Sequence, residues 1–342
     1  MSGLDNGVKR DRLILGILFI AASVAFIVAI HMTGALAEVV KIYFPYADSL
    51  FNGVIPDMEY PPFALVFIAL PRLFAATEMG YLIVFVAEVA VFFIIGLIVT
   101  GKLAKRYNFS QHMAMLIYTI LMLLMFEFVV DRFDIFPAIL TLLSFYCLVT
   151  KRYVWAFALL SIATMTKLYP AVLFPIYLIP LIYNRDWMNA LKGAGVFILV
   201  AALTILPFIL AGSLESATYF LTYHMDRPIQ IESTASSIIF LFQALGLTNV
   251  DIVFSYGSDN IVGPWPDAVA PFLTPLMIAA VVAVYAMYAY MLVSLRRDGK
   301  DNENNRMILL GSAALLSIMA FMIFGKVFSS QYPIWIIPPS SS

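Results

Sequence analysis

Residues 153–184 read YVWAFALLSIATMTKLYPAVLFPIYLIPLIYN: apolar at both ends, and polar in the middle at Lys167-Leu168-Tyr169-Pro170. A single bilayer span takes about 20 apolar residues, so the stretch is too long for one. Proline just beyond a helix end is a stop signal. The stretch therefore predicts two short spans, 153–167 and 170–184, joined by a polar turn. Spans this short are allowed where an end lines a protein cavity rather than lipid.

The rest of the chain fits the same class. It is 63% hydrophobic and 12% charged, with a mean hydropathy of +0.94. A soluble domain carries about 25% charged residues. Most Lys and Arg fall in clusters between apolar runs: Lys9-Arg10-Arg12, Lys102-Lys105-Arg106, Lys151-Arg152, Arg185-Lys192 and Arg296-Arg297-Lys300-Arg306. Such clusters mark cytoplasmic loops. On that rule span one is 13–32, running outward from a cytoplasmic N-terminus. Its apolar core is too long for a secretory signal, although Ala35-Leu36-Ala37 looks like a cleavage site. A first outer loop, 34–79, follows. Within it residues 61–76 read as an interfacial helix with Pro61 and Pro62 in its first turn. Further spans are expected at 80–100, 110–130, 135–150, 190–211, 268–295 and 307–324. A long outer segment, 212–267, holds a second interfacial stretch at 235–246. The tail Pro333–Ser342 starts like another span and stops short, so it is either truncated or interfacial. The expected fold is an all-α polytopic membrane protein of about 9–10 transmembrane helices, one domain over 1–342.

Six cations break the cytoplasmic pattern: Lys41, Arg72, Arg132, Lys167, Arg227 and Lys326. Each falls on the outer side, where most of the acidic residues fall too. Isolated charges at a membrane edge are costly and point to function. Lys167 stands where two short helices meet at the outer membrane edge, Arg227 offers a rigid planar fork of donors, and Lys326 is a further isolated cation. Arg132 can instead pair with Asp131 or Asp134 as structure. A lone Cys147 excludes a disulfide or a Cys-based zinc site within the chain, and His31, His112 and His224 have no metal spacing. Basic residues spread among loops give no nucleic-acid patch. No Gly-rich nucleotide loop is present, and neither a metal nor a cofactor is expected.

Gly53-Val54-Ile55-Pro56-Asp57-Met58-Glu59-Tyr60-Pro61-Pro62 resembles a segment of the polyprenyl-phosphate-mannose-dependent mannosyltransferases of glycosyltransferase family 87, in the GT-C superfamily. Four more segments resemble the family in the same order: Arg132-Phe133-Asp134-Ile135-Phe136-Pro137-Ala138, Lys167-Leu168-Tyr169-Pro170, Arg227-Pro228-Ile229-Gln230-Ile231-Glu232-Ser233, and Ser330-Gln331-Tyr332 with Trp335. All five fall on the expected outer side. The resemblance implies a GT-C-type bundle that moves a sugar, mannose first, from a polyprenyl phosphate to a lipid or glycan acceptor with inversion, at the outer face of a prokaryotic plasma membrane. The acceptor hydroxyl then needs a carboxylate base. The leaving phosphate needs cations rather than an acid.

The resemblance places an aspartate base in the first outer loop, about four residues before a tyrosine. With Tyr43 as that tyrosine, the position holds Val39. Glu38 is adjacent and can take the role; otherwise Asp57 or Asp134 serves, or the chain is an inactive relative. Lys167, Arg227 and Lys326 are the implied phosphate ligands. Glu59, Tyr60, Tyr169, Glu232, Gln331 and Tyr332 are the implied sugar or acceptor contacts. The competing reading is a lipid or solute transporter, which would place charges near the midplane of paired halves; here they sit at one face, and the chain has no internal repeat.

Overall fold

The computed structural model describes residues 2–33, 38–211 and 214–337. The cleavage-like Ala35-Leu36-Ala37 and the tail beyond residue 337 lie outside the described residues. In chain order the helices are α1 (Ser2–Thr33), α2 (Phe44–Phe51), α3 (Ala64–Ala69), α4 (Glu78–Arg106), α5 (Gln111–Leu124), α6 (Phe126–Asp131) and α7 (Ile135–Val149). Then come α8 (Tyr153–Thr166), α9 (Leu173–Tyr183), α10 (Trp187–Ala211), α11 (Leu214–Asp226), α12 (Thr234–Ala244), α13 (Pro264–Arg297) and α14 (Glu303–Phe324). Several start on side-chain caps. Thr77, Ser110, Ser233 and Asn302 each accept a hydrogen bond from the backbone N–H three residues on, satisfying donors that a helix start leaves unpaired.

Five described helices are long and apolar enough to cross a membrane: Gly7–His31, Glu78–Arg106, Trp187–Ala211, Pro264–Arg297 and Glu303–Phe324. With the shorter apolar helices between them they make the chain an all-α polytopic membrane protein, as expected. The 153–184 stretch divides where its polar middle lies. α8 stops at Thr166, Lys167 turns extended (φ −154°, ψ 139°), and a 3₁₀ turn at Tyr169–Val172 leads into α9. α5, α7 and α8 hold 14, 15 and 14 residues. At 1.5 Å per residue each covers only about 21–23 Å, less than the roughly 30 Å hydrocarbon core. The stretch expected as one span over 110–130 is instead α5 and α6, separated at Met125 (φ −99°, ψ 17°).

Contacts divide the chain into two compact units. The first comprises Met1–Ala171, Met188–Thr218 and Pro333–Ser342. Its core is α4, against which α1, α5 and α7 pack. Phe19 of α1 stacks on Phe93 of α4 with ring centroids 3.9 Å apart. Tyr118 of α5 donates to the Phe93 carbonyl at 3.2 Å. Gly96 makes that approach possible, because a Cβ there would lie 2.4 Å from the Tyr118 hydroxyl. α8 packs on α7, and Ser144 donates to the Ala156 carbonyl at 2.8 Å. On the other side Gly193 of α10 lets the Phe157 ring of α8 close in, since a Cβ would meet it at 2.4 Å.

The second unit comprises Val172–Trp187 and Tyr219–Tyr332. α13 and α14 form a hairpin, and α9 packs on both. Tyr285 donates to the Val172 carbonyl at 2.6 Å and Tyr183 to that of Leu292 at 3.2 Å. The unit also holds a three-stranded antiparallel sheet ordered β1-β3-β2, from β1 (Ile229–Gln230), β2 (Asp251–Ser255) and β3 (Ser258–Val262). The sequence reading gave 212–267 no strands. Their signal is the Tyr256-Gly257 pair, with φ of 51° and 66°, which makes the two-residue turn that suits a hairpin. Ile229, Ile261, Ile239 and Leu273 bury a small core beneath the sheet.

Candidate active site

In the first unit the polar segment between α6 and α7 meets the polar segment after α8. Asp134 precedes the first turn of α7, and its side chain is 1% exposed. Its Oδ1 accepts from Lys167 Nζ and from Trp335 Nε1, both at 2.6 Å. Lys167 is held there because α8 ends one residue earlier. Its ammonium sits 5.1 Å from the ring centroid of Phe133, 5.2 Å from Trp335 and 5.8 Å from Tyr60. Tyr169 stacks on Trp335 at 4.1 Å, closing the cluster. A buried ammonium is costly alone, and here one carboxylate and three aromatic faces offset that cost.

The first loop reaches the same cluster. Tyr60 lies edge-on to Phe133 at 4.4 Å, and Tyr43 packs on Phe133 at 5.8 Å and on Tyr60 at 6.3 Å. Burial pushes both phenols up, and Glu59 and Asp134 add to the effect at each. Tyr43 is the last residue of a π-helical turn, Val39–Tyr43, and lies two residues before Pro45 of α2. The backbone N–H of Phe63 donates to the Met165 carbonyl at 2.8 Å, tying the end of the Glu59-Tyr60-Pro61-Pro62 segment to α8. Glu59 accepts from the Tyr46 hydroxyl at 2.8 Å.

Glu38 and Arg132 form an ion pair beside these rings. Asp131, the last residue of α6, takes the backbone N–H of Val39 on its Oδ1 at 3.4 Å. Burial raises its carboxyl to about 6, with Glu38 adding while the Val39 N–H and Arg132 oppose. Asp57 lies exposed on the loop before α3 and joins none of these contacts. Beside the same loop runs an apolar groove of about 550 Å³, lined by Leu50, Ile55, Pro62, Val66, Pro207 and Phe208 among others.

The second unit carries its own polar cluster, built on β1. Arg227 is 9% exposed and donates to Ser258 Oγ at 2.6 Å and to Gln230 Oε1 at 3.3 Å, while its Nε is buried with no hydrogen-bond partner among the described residues. The amide of Gln230 donates to Glu232 Oε2 at 2.6 Å and to Ser329 Oγ at 3.0 Å. Its backbone N–H donates to the Lys326 carbonyl at 3.0 Å. Lys326 reaches the Met225 carbonyl at 2.7 Å, and burial, joined by Arg227, holds its ammonium below the usual lysine range. Tyr332 is buried against Phe328 at 5.7 Å, and Gln331 is half-buried.

Of the residues named from sequence, the first unit thus brings together Glu59, Tyr60, Asp134, Lys167 and Tyr169, with Glu38 beside them through Arg132. The second joins Arg227, Glu232 and Lys326. Three participants carried no role in the sequence reading. Trp335 stood only as part of a resembling segment, and it supplies a second donor to Asp134. Gln230 ends β1, and Glu232 lies two residues on, in the turn that follows it. Asp131 stood as a structural ion partner for Arg132, and nothing in its spacing announces the contact with Val39.

No curated protein sequence matches the chain. The model of glycosyltransferase family 87 matches residues 59–324, a stretch that takes in Glu59, Tyr60, Asp134, Lys167, Arg227 and Gln230. The chain belongs to glycosyltransferase family 87 and is a membrane glycosyltransferase.

Proposed function

We propose that the chain transfers a sugar, mannose first, from a polyprenyl phosphate to a hydroxyl of a lipid or glycan acceptor, with inversion, at the extracytoplasmic face of a prokaryotic plasma membrane. The observation that carries this reading is the buried Lys167 ammonium, held by Asp134 and boxed by Phe133, Trp335 and Tyr60. A phosphodiester leaving group departs as a more highly charged monophosphate. Its transition state therefore needs a fixed cation, in a site where water is scarce. Asp134 offsets the cost of burying that cation before the donor arrives. An ammonium has three donors, so holding Asp134 does not exclude holding a phosphate oxygen.

The apolar groove beside Pro62 suits the hydrocarbon chain of such a donor, and a lipid-borne sugar needs no nucleotide cradle. Glu59, Tyr60 and Tyr169 are the sugar or acceptor contacts of the first unit. Arg227 and Lys326 are assigned to phosphate, and Glu232, Gln331 and Tyr332 to sugar or acceptor hydroxyls. The acceptor hydroxyl is activated by a carboxylate, for which Glu38, Asp57 and Asp134 are the candidates read from sequence.

The test is reconstituted protein given radiolabelled polyprenyl-phosphate mannose and a panel of lipid acceptors. Labelled glycolipid formed by the wild type and lost on Lys167→Ala supports the reading. Labelled donor that crosses the bilayer unchanged, with no product, refutes it in favour of a transporter. Binding of donor with neither outcome refutes it in favour of an inactive relative.

A further inference from the structure

We propose that Asp131 is the general base that takes the acceptor hydroxyl proton. The inference rests on the sugar-transfer reading above and adds a residue to it. The other carboxylates around the Lys167 cluster are already engaged. Asp134 is bound by Lys167 and Trp335, Glu38 by Arg132, Glu59 by Tyr46, and Asp48 by both Nε and Nη2 of Arg72 at 3.2 and 3.1 Å. Asp57 is exposed on the loop before α3 and joins none of the contacts around Lys167.

Asp131 differs in the kind of partner that holds it. It is half-buried, it is met by the backbone N–H groups of Val39, at the long distance of 3.4 Å, and Glu38 rather than tied by a side-chain donor, and it sits next to Arg132, whose charge acts on Tyr43, Tyr60 and Lys167. The charged groups facing it are Glu38 and Arg132, and the amides facing it are those of Glu38 and Val39. Burial raises its proton affinity towards the range a base needs near neutral pH, whereas a carboxylate held by a cation is a poorer proton acceptor. The step balances as follows. The acceptor oxygen bonds to the anomeric carbon while its proton passes to Asp131. The bond from that carbon to the phosphate oxygen breaks, and polyprenyl monophosphate leaves with the electron pair.

The test is the pH profile of kcat/KM for transfer from a polyprenyl-phosphate sugar, in the wild type and in Asp131→Asn, Asp131→Glu, Glu38→Gln and Asp57→Asn. The expected wild-type profile rises tenfold per pH unit and levels near pH 6. Asp131→Asn should lose about 10²- to 10⁴-fold and the pH dependence with it, with the Kd for polyprenyl monophosphate unchanged. Asp131→Glu should restore part of the rate with a moved break. Asp131→Asn keeping more than a tenth of the activity, or Glu38→Gln or Asp57→Asn abolishing the break, overturns the inference and leaves sugar transfer standing. Infrared difference spectra provide a readout without turnover. A protonated carboxyl band present at pH 5, gone at pH 7.5 and missing from Asp131→Asn supports the inference, and no such band overturns it. A wild type that makes no product overturns the sugar-transfer reading and this step together.

Discussion

Removing Asp134 alone should damage the protein more than removing Asp134 and Lys167 together. The carboxylate is 1% exposed and accepts two hydrogen bonds at 2.6 Å, one from a lysine that is itself 14% exposed. Taking one partner from a buried ion pair costs about 3–5 kcal/mol, because the other charge stays buried without compensation. The Trp335 indole N–H also loses its acceptor, a further cost of about 1–3 kcal/mol. The aromatic faces around Lys167 relieve part of this, so Asp134→Ala should fall near the low end of the combined range, at about 4 kcal/mol. Asp134→Asn with Lys167→Met removes both charges and keeps an oxygen for Trp335. It should lie within about 1–2 kcal/mol of the wild type. The assay is equilibrium unfolding of the purified protein in micelles, followed by fluorescence and compared at one detergent concentration. A loss below about 1 kcal/mol for Asp134→Ala, or a double variant less stable than that single one, would refute the claim that this is a compensated buried pair.

Asp131 makes an opposite prediction for stability. Its carboxyl titrates near 6 in the fold and near 4 in an unfolded chain, so between those values the folded state binds the extra proton. That stabilising share is complete below about pH 4 and lost as pH rises through about 6. Asp131→Asn should therefore unfold later than the wild type at pH 7.5, by about 1–2 kcal/mol after allowing for its partial exposure, and the gap should close towards pH 4. Gly193→Ala should cost about 1–3 kcal/mol, because its Cβ meets the Phe157 ring at 2.4 Å, whereas Gly195→Ala, with open space around it, should stabilise α10 by up to about 1 kcal/mol. Thermal melts of the two variants side by side check both signs. Gln230→Leu should cost about 1–3 kcal/mol by leaving Arg227 and Glu232 without their shared amide, and Gln230→Glu should not rescue it, since a carboxylate cannot donate to Glu232. Unfolding midpoints of the two variants decide it.

The helical membrane architecture was legible because hydropathy and proline act locally. The break at Lys167-Leu168-Tyr169-Pro170 follows from a lysine and a proline within an apolar run, and it falls at that place in the structure. Short helices such as α7 and α8 were legible for the same reason. The hairpin of β2 and β3 was hidden because its strands are five residues each, with an exposed apolar face that reads equally well as loop. Within the site, Lys167 stood out because an isolated cation in apolar surroundings carries its own physical cost. Its pairing with Asp134 spans 33 residues, and that of Trp335 with the same carboxylate spans 201. No local rule reaches such distances. The same holds for Asp131 and Val39, 92 residues apart. Sequence chemistry can name ionisable residues that need explaining, but only tertiary packing decides which carboxylates are tied down and which are left able to take a proton.

The role of Lys167 is tested most directly by equilibrium binding of two lipids, polyprenyl monophosphate and the uncharged polyprenol, to the wild type and to Lys167→Met. Hydrogen bonds to a charged group contribute about 1.5–3 kcal/mol. The wild type should therefore favour the phosphate by at least about tenfold, and Lys167→Met should lower that preference by about tenfold or more without weakening polyprenol binding. An undiminished preference for the phosphate in Lys167→Met would contradict the assignment of this lysine as the group that holds the leaving phosphate.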